Sequence, residues 1–139
     1  MTFGDSISTC FSKYATFSGR ARRSEFWWFA LFLAIVDLVL SFVSDIASGI
    51  WNLGTILPYA AVAWRRLHDI DRTGAWTLVP LVPLIAGFAI MTGVPFGAGI
   101  PPLPLGLFIV TGALCILNIV FWATKGTPRA NRFGEDPLQ

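Results

Sequence analysis

His68 and Asp69 are neighbours in the stretch 65–76, RRLHDIDRTGAW, and an imidazole beside a carboxylate is a pairing from which general-base chemistry can be built. It is the only histidine of the chain. Catalysis would also need a nucleophile or a metal, and no HExxH, GxSxG, cysteine cluster or phosphate-cradling glycine loop accompanies it. Cys10 and Cys115 are isolated from one another and make neither a zinc site nor a plausible disulfide. The better reading of His68 is as part of an ion-pair ladder. If the local helix continues, Arg65, Asp69 and Arg72 fall at i, i+4 and i+7 on one face, with His68 alongside and Gly74 allowing the tight turn that follows. The expectation is a non-enzymatic protein with no cofactor and no metal.

The elements that must position these residues follow from where charge is missing. Only 13% of the 139 residues are charged and 55% are apolar, against roughly 25% and 45–50% in soluble domains. Four blocks, 26–43, 46–64, 75–94 and 103–124, contain a single charged residue, Asp37. Their lengths of 18, 19, 20 and 22 residues suit helices crossing a hydrocarbon core of about 30 Å. Buried helices of soluble proteins usually keep a polar stripe, and blocks two to four have no charge on any face. The expected fold is all-α: a four-helix transmembrane bundle forming one integral membrane domain over residues 1–139. Small residues such as Gly49, Gly54, Ala60, Ala61, Gly87 and Gly112 would permit close helix contact.

The ten Lys and Arg residues fall before block one, between blocks two and three, and after block four. Each basic segment is two crossings from the next, so all lie on one side, which the positive-inside rule makes cytoplasmic. Residues 1–25, 65–74 and 125–139 are then cytoplasmic and both termini are inside. Five of six tryptophans, Trp27, Trp28, Trp64, Trp76 and Trp122, sit at inner ends, as interfacial indoles do. No cleavable signal peptide is expected. Phe3, Ile7, Cys10, Phe11, Tyr14 and Phe17 recur at helical spacing and indicate a short amphipathic helix on the inner leaflet. Gly19 would end it, Ser24 is placed to cap the first spanning helix and Glu25 to meet its positive end. Pro58 should kink the second span, and Pro80 and Pro83 the third. Residues 93–104, with three glycines and four prolines, read as an outer connector in preference to a re-entrant loop.

This topology brings Arg20, Arg22, Glu25, Arg65, Arg66, His68, Asp69, Arg72, Gly74, Asn131, Arg132, Phe133, Gly134 and Asp136 to one membrane depth, as a cytoplasmic polar layer. Arginine's planar fork binds carboxylate or phosphate, so the layer is either a static clasp or, with ten basic against six acidic residues on this side, a site for anionic phospholipid headgroups. The expected partners are the bilayer with those inner-leaflet headgroups, and a second copy or another membrane protein; nucleic acid is not expected. Asp37 lies roughly 16 Å into the first span, with Asn52, Thr55 and Thr111 at matching depth as hydrogen-bond partners. It is either a neutral carboxyl that fixes packing or a proton or cation site of an oligomeric channel or transporter subunit.

Three stretches, FSGRARRSEFWWF (17–29), RRLHDIDRTGAW (65–76) and GTPRANRFGEDP (126–137), together resemble the signatures of the YhaH/YhaI-like family of small bacterial inner-membrane proteins. The resemblance covers nearly the whole chain and implies a bacterial inner-membrane location and a domain of unknown function. Asp37, Ala75 and the outer connector depart from the family pattern.

Overall fold

A computed structural model describes residues 1–95 and 97–137. Five α-helices occur among them: α1 (Phe3–Ser12), α2 (Arg23–Val43), α3 (Asp45–Asp69), α4 (Leu81–Met91) and α5 (Pro102–Ala123), with a 3-10 helix at Gly74–Thr77. No strand is present among the described residues, only an isolated bridge between Asn131 and Gly134. Four segments are long and apolar enough to cross a membrane: Arg23–Ser41, Asp45–Asp69, Gly74–Met91 and Pro102–Ala123.

The first hairpin turns on one residue. Ser44 is extended; its N–H closes α2 on Leu40 O at 2.8 Å and its hydroxyl accepts from Ala47 N–H at 3.4 Å, capping α3. At the other end, α2 starts at Arg23, with Arg22 as an N-cap that makes no side-chain bond. Ser24 therefore lies inside the first turn and does not cap it. The cause is upstream: Ala21 N–H is drawn onto Arg65 O at 3.0 Å, which holds the chain extended until Arg22.

Helix α3 continues five residues beyond its apolar block, as the polar stretch requires, and ends in a turn at Asp71, whose φ of 57° is left-handed. The turn expected at Gly74 is thus made three residues earlier. Gly74 has a different role, because a Cβ there would overlap the indole ring of Trp64. The third span is broken more thoroughly than a kink: after the 3-10 helix the chain reaches Pro80, the N-cap of α4, and Pro83 falls in that helix's first turn, where a missing N–H costs no helical bond. Asn118 of α5 donates to Trp76 O at 3.1 Å and ties in the start of this segment.

The spans pack chiefly as two antiparallel hairpins, α2 with α3 and α4 with α5, whose mutual contact is slight. They meet through Phe26 and Tyr59 against Trp122, at ring separations of 4.9 and 6.3 Å. The core lies at that same end, beside the start of α2 and the end of α3, formed by Cys10, Ala21, Phe26, Phe29, Val62 and Ala63. At the opposite end Phe42 is 85% exposed and Ile46 76%, the outward apolar surface a bilayer would cover. Of the small residues expected at helix contacts, Ala61 is buried and Gly87 lies under Phe108, whereas Gly49, Gly54 and Gly112 face open space.

Helix α1 begins with a capping box between Thr2 and Asp5. Phe3 and Phe11 are eight positions apart, about 12 Å of helix, yet both rings meet Phe32, at 6.4 and 6.2 Å. Helix α1 therefore crosses α2 instead of running along it. Beyond it, Tyr14 donates to the Gly54 carbonyl of α3.

Gly74→Ala should lower stability by about 1–3 kcal/mol through overpacking against Trp64, read as a lower thermal midpoint of helical circular dichroism in detergent. Gly112→Ala, facing open space, should leave the midpoint in place.

Candidate functional site

Three of the arginines are buried, Arg20 at 7%, Arg65 at 1% and Arg66 at 0% exposure, and burying a guanidinium in so apolar a chain is costly unless a counter-charge is buried with it. Asp69, the last residue of α3, supplies most of it. Its Oδ1 accepts from Arg20 Nε at 2.9 Å and pairs with Nη2 at 2.8 Å, while Oδ2 pairs with Arg66. Arg20 spends its remaining donors on the C-terminal segment, reaching Thr127 O at 2.6 Å and Arg129 O at 2.7 Å. Thr127 N–H returns a bond to Asp69 O at 2.8 Å. A Cβ on Gly126 would overlap the Asp69 carboxylate, so only glycine lets this segment approach.

Arg66 closes the end of α5. Its Nε donates to Trp122 O at 2.9 Å and its Nη2 to Thr124 O, and Arg23 Nη1 reaches Ala123 O at 3.2 Å. Carbonyls left unpaired at a helix C-terminus thus receive cationic donors, which also suit the negative end of the helix dipole. Arg65 turns the other way, to Glu25 Oε1 at 2.5 Å, with 1% and 4% side-chain exposure. Its Nε and Nη2 have no partner among the described residues. Cys10 of α1 lies over this pair. Burial, with the Glu25 charge adding to it, pushes the thiol up to about 12, and the nearby Arg65 opposes the shift.

The ladder expected along one face of α3 therefore does not form. Arg65 pairs with Glu25 of α2, Asp69 pairs with Arg20 and with Arg66 of its own helix, and Arg72, past the helix end, sits over the Phe121 ring at 4.4 Å. His68 faces away from Asp69. Its Nδ1 lies 3.0 Å from Gly19 O, an acceptor, so Nδ1 carries the proton; its ring stacks on Phe133 at 3.8 Å and 2°. Asn131 holds that stack in place, donating to His68 O at 2.9 Å and accepting from Phe133 N–H at 2.9 Å, with its backbone paired to Gly134. Arg132 bonds Asp71 at the surface, where the two side chains are 62% and 48% exposed.

Two expected members of the layer, Arg22 and Asp136, line a cavity of about 440 Å³ together with Arg23, Asp69, Lys125 and Thr127. Arg23 and Lys125 were legible in the sequence only as topological charges. Thr127 and Gly126 were not legible as site residues, because their parts are played by backbone groups and by a missing Cβ.

Asp37 keeps one expected partner and gains another. Its Oδ1 accepts from Asn52 Nδ2 at 2.8 Å and from Ser48 Oγ at 2.5 Å. Thr55 and Thr111 instead bond their own helix carbonyls, Trp51 O and Leu107 O. Asp37 is six residues from the end of α2, about 9 Å from its C-terminus, and faces the first two turns of α3. A groove of about 220 Å³ lined by Asp37, Asn52, Thr55 and Tyr59 opens beside it.

Asp69→Ala should cost about 3–5 kcal/mol by leaving Arg20 and Arg66 buried without a counter-charge, whereas Arg132→Ala should cost less than about 1 kcal/mol. Denaturant titration in micelles measures both. With Cys115 replaced by Ala, Cys10 in the folded protein should resist maleimide at pH 8 and react once the protein unfolds, since a thiol raised to about 12 is almost wholly protonated there.

The family described as "Protein of unknown function (DUF805)" matches residues 14–135. Inner membrane protein YhaI of Escherichia coli (strain K12) is 38% identical over 131 residues, covering 89% of this chain and 87% of that protein. Inner membrane protein YhaH of the same organism is 34% identical over 135 residues, covering 89% and 88%. Uncharacterized protein YiiR, also from that organism, is 36% identical over 130 residues, covering 87% and 85%. No solved structure matches the chain. With four membrane-capable helices, a family match over residues 14–135 and relatives named as inner membrane proteins, the chain belongs to the DUF805 family of proteins of unknown function.

Proposed function

We propose that this chain is a non-enzymatic protein of the bacterial inner membrane, with both termini cytoplasmic and α1 in the inner interface. Its cytoplasmic polar layer serves as a recognition surface for inner-leaflet headgroups and for a membrane-protein partner, another copy included. The observation that carries the reading is how the clasp divides the charged groups. Glu25, Asp69 and His68, the side chains with potential for acid–base work, are all engaged by other parts of the chain, while Arg22, Arg23 and Lys125 are presented around a cavity at its edge. A surface held rigid by buried ion pairs suits recognition, which depends on preorganised groups. The crossing of α1 over α2 supports the interfacial placement, since a helix across the spans lies along the membrane plane.

A second reading, a subunit of an oligomeric channel or transporter, is favoured by one observation: the groove beside Asp37 holds a carboxylate together with Asn52 and Thr55. It requires Asp37→Asn to abolish proton or cation flux in proteoliposomes, whereas the recognition reading requires no such flux from the native chain.

The topology predicts that a membrane-impermeant maleimide added to intact cells labels Ala98→Cys and spares Arg132→Cys. The reverse pattern would overturn it. A photo-crosslinking residue at Arg132 or Glu135 should give one discrete protein adduct in cells, and the same residue at Ile109 should not. Absence of any protein adduct from the cytoplasmic positions rejects the partner surface.

A further inference from the structure

The cavity edged by the clasp has an apolar continuation. Arg23 and Ser24 line both the 440 Å³ cavity and a second, shallower groove of about 540 Å³ whose other walls are Trp27, Trp28 and Leu31 of α2. The first compartment is cationic. Arg22, Arg23 and Lys125 face it against Asp136, and the charge of Asp69 is already matched by Arg20 and Arg66. Among the described residues neither Arg22 nor Lys125 forms an ion pair, and Arg23 gives a single bond to Ala123 O. No side chain caps α2, whose N-terminal residues Arg22, Arg23 and Ser24 all line this compartment. The second compartment is apolar and open, with Trp27, Trp28 and Leu31 between 40% and 45% exposed.

Phosphate chemistry and chain chemistry are thus joined at one arginine. Trp27 and Leu31 are one turn apart on one helix face, and Trp28 is three positions from Leu31, so the three side chains form a continuous track leading away from the charges. We propose that this two-part surface binds one anionic glycerophospholipid of the inner leaflet. Its phosphate lies among Arg22, Arg23 and Lys125, and an acyl chain follows Trp27 and Leu31. A dissolved phosphate has the same chemistry at the cationic end but makes no use of the track, which is why the lipid is the favoured source. The inference rests on the recognition reading above and names the ligand of its lipid-facing part.

The test is native mass spectrometry of the purified full chain in detergent, incubated with equal amounts of phosphatidylglycerol and phosphatidylcholine. The native chain should retain phosphatidylglycerol roughly tenfold better, and Arg22→Gln with Lys125→Gln should remove that preference. Both residues are outside the clasp, and unchanged helical circular dichroism verifies the fold. Trp27→Ala with Leu31→Ala should also weaken retention of phosphatidylglycerol. Equal retention of the two lipids by the native chain overturns the proposal. Displacement of the lipid by millimolar inorganic phosphate, together with no effect of the Trp27 and Leu31 changes, overturns it in favour of a free-anion site. Either failure leaves the cytoplasmic cross-links intact, whereas labelling of Arg132→Cys from outside would remove the recognition reading itself.

Discussion

Asp69 between Arg20 and Arg66 is the constraint on which the rest depends. Desolvating three charges costs several kcal/mol per ion, so the arrangement is tolerable only when nearly every donor has a geometrically good acceptor. Side-chain carboxylates alone cannot provide so many. The guanidinium groups therefore recruit backbone carbonyls from three separate segments, and this recruitment shapes the segments: residues 19–22 are held against the end of α3, and residues 124–134 fold back over it. The C-terminal segment buries little apolar surface. Its order comes from acceptors that the arginines require.

The location of this clasp explains why the core is at one end of the molecule. Between apolar helices in lipid there is no hydrophobic driving force, since acyl tails are as apolar as leucine. The outer halves of the hairpins can leave Phe42, Ile46 and Leu53 exposed, and the tie between hairpins must come from elsewhere. It comes from polar groups at the clasp, where Arg66 of α3 binds the terminal carbonyls of α5, and from the adjoining aromatic layer of Phe26, Tyr59 and Trp122. Specificity of assembly is thereby placed in one polar layer at that end of the molecule.

The spans were legible because exclusion of charge from hydrocarbon is a one-dimensional property of the sequence. So was membership of Arg20, Glu25, Arg65, Asp69 and Asn131 in one layer, since each is close in sequence to an inner helix end. Partner choice was not legible. Helical spacing offered Asp69 to Arg65, but the tertiary geometry gives Arg65 to Glu25, 40 positions away, and Asp69 to Arg20, 49 positions away, as well as to Arg66 on its own helix. Arg66 was expected in the layer, but nothing local shows that the end of α5 lies beside it and supplies its acceptors. Ser24 has the right type for a cap and fails because a tertiary bond at Ala21 sets the start of α2 two residues too early. The break in the third span was visible as Pro80 and Pro83, but proline content does not distinguish a kink from a 3-10 turn followed by a new helix.

Asp69 in the clasp and Asp37 on the flank of the first hairpin make the role of position plain. Asp69 has two guanidinium partners and anchors three segments; Asp37 has two neutral donors, both on the adjoining helix and both on one oxygen. Ser48 and Asn52 fix only the α2–α3 hairpin, so the energetic reach of Asp37 ends within that pair. Between the two carboxylates stand Phe26, Phe29, Tyr59 and Trp122, packed around Val62 and Ala63. A proton moving from Asp37 to the clasp inside one copy would have to cross this aromatic layer, which offers no chain of polar side chains. Conduction through Asp37 consequently demands a path between copies, along the open flank where its groove lies, and not through the packed interior.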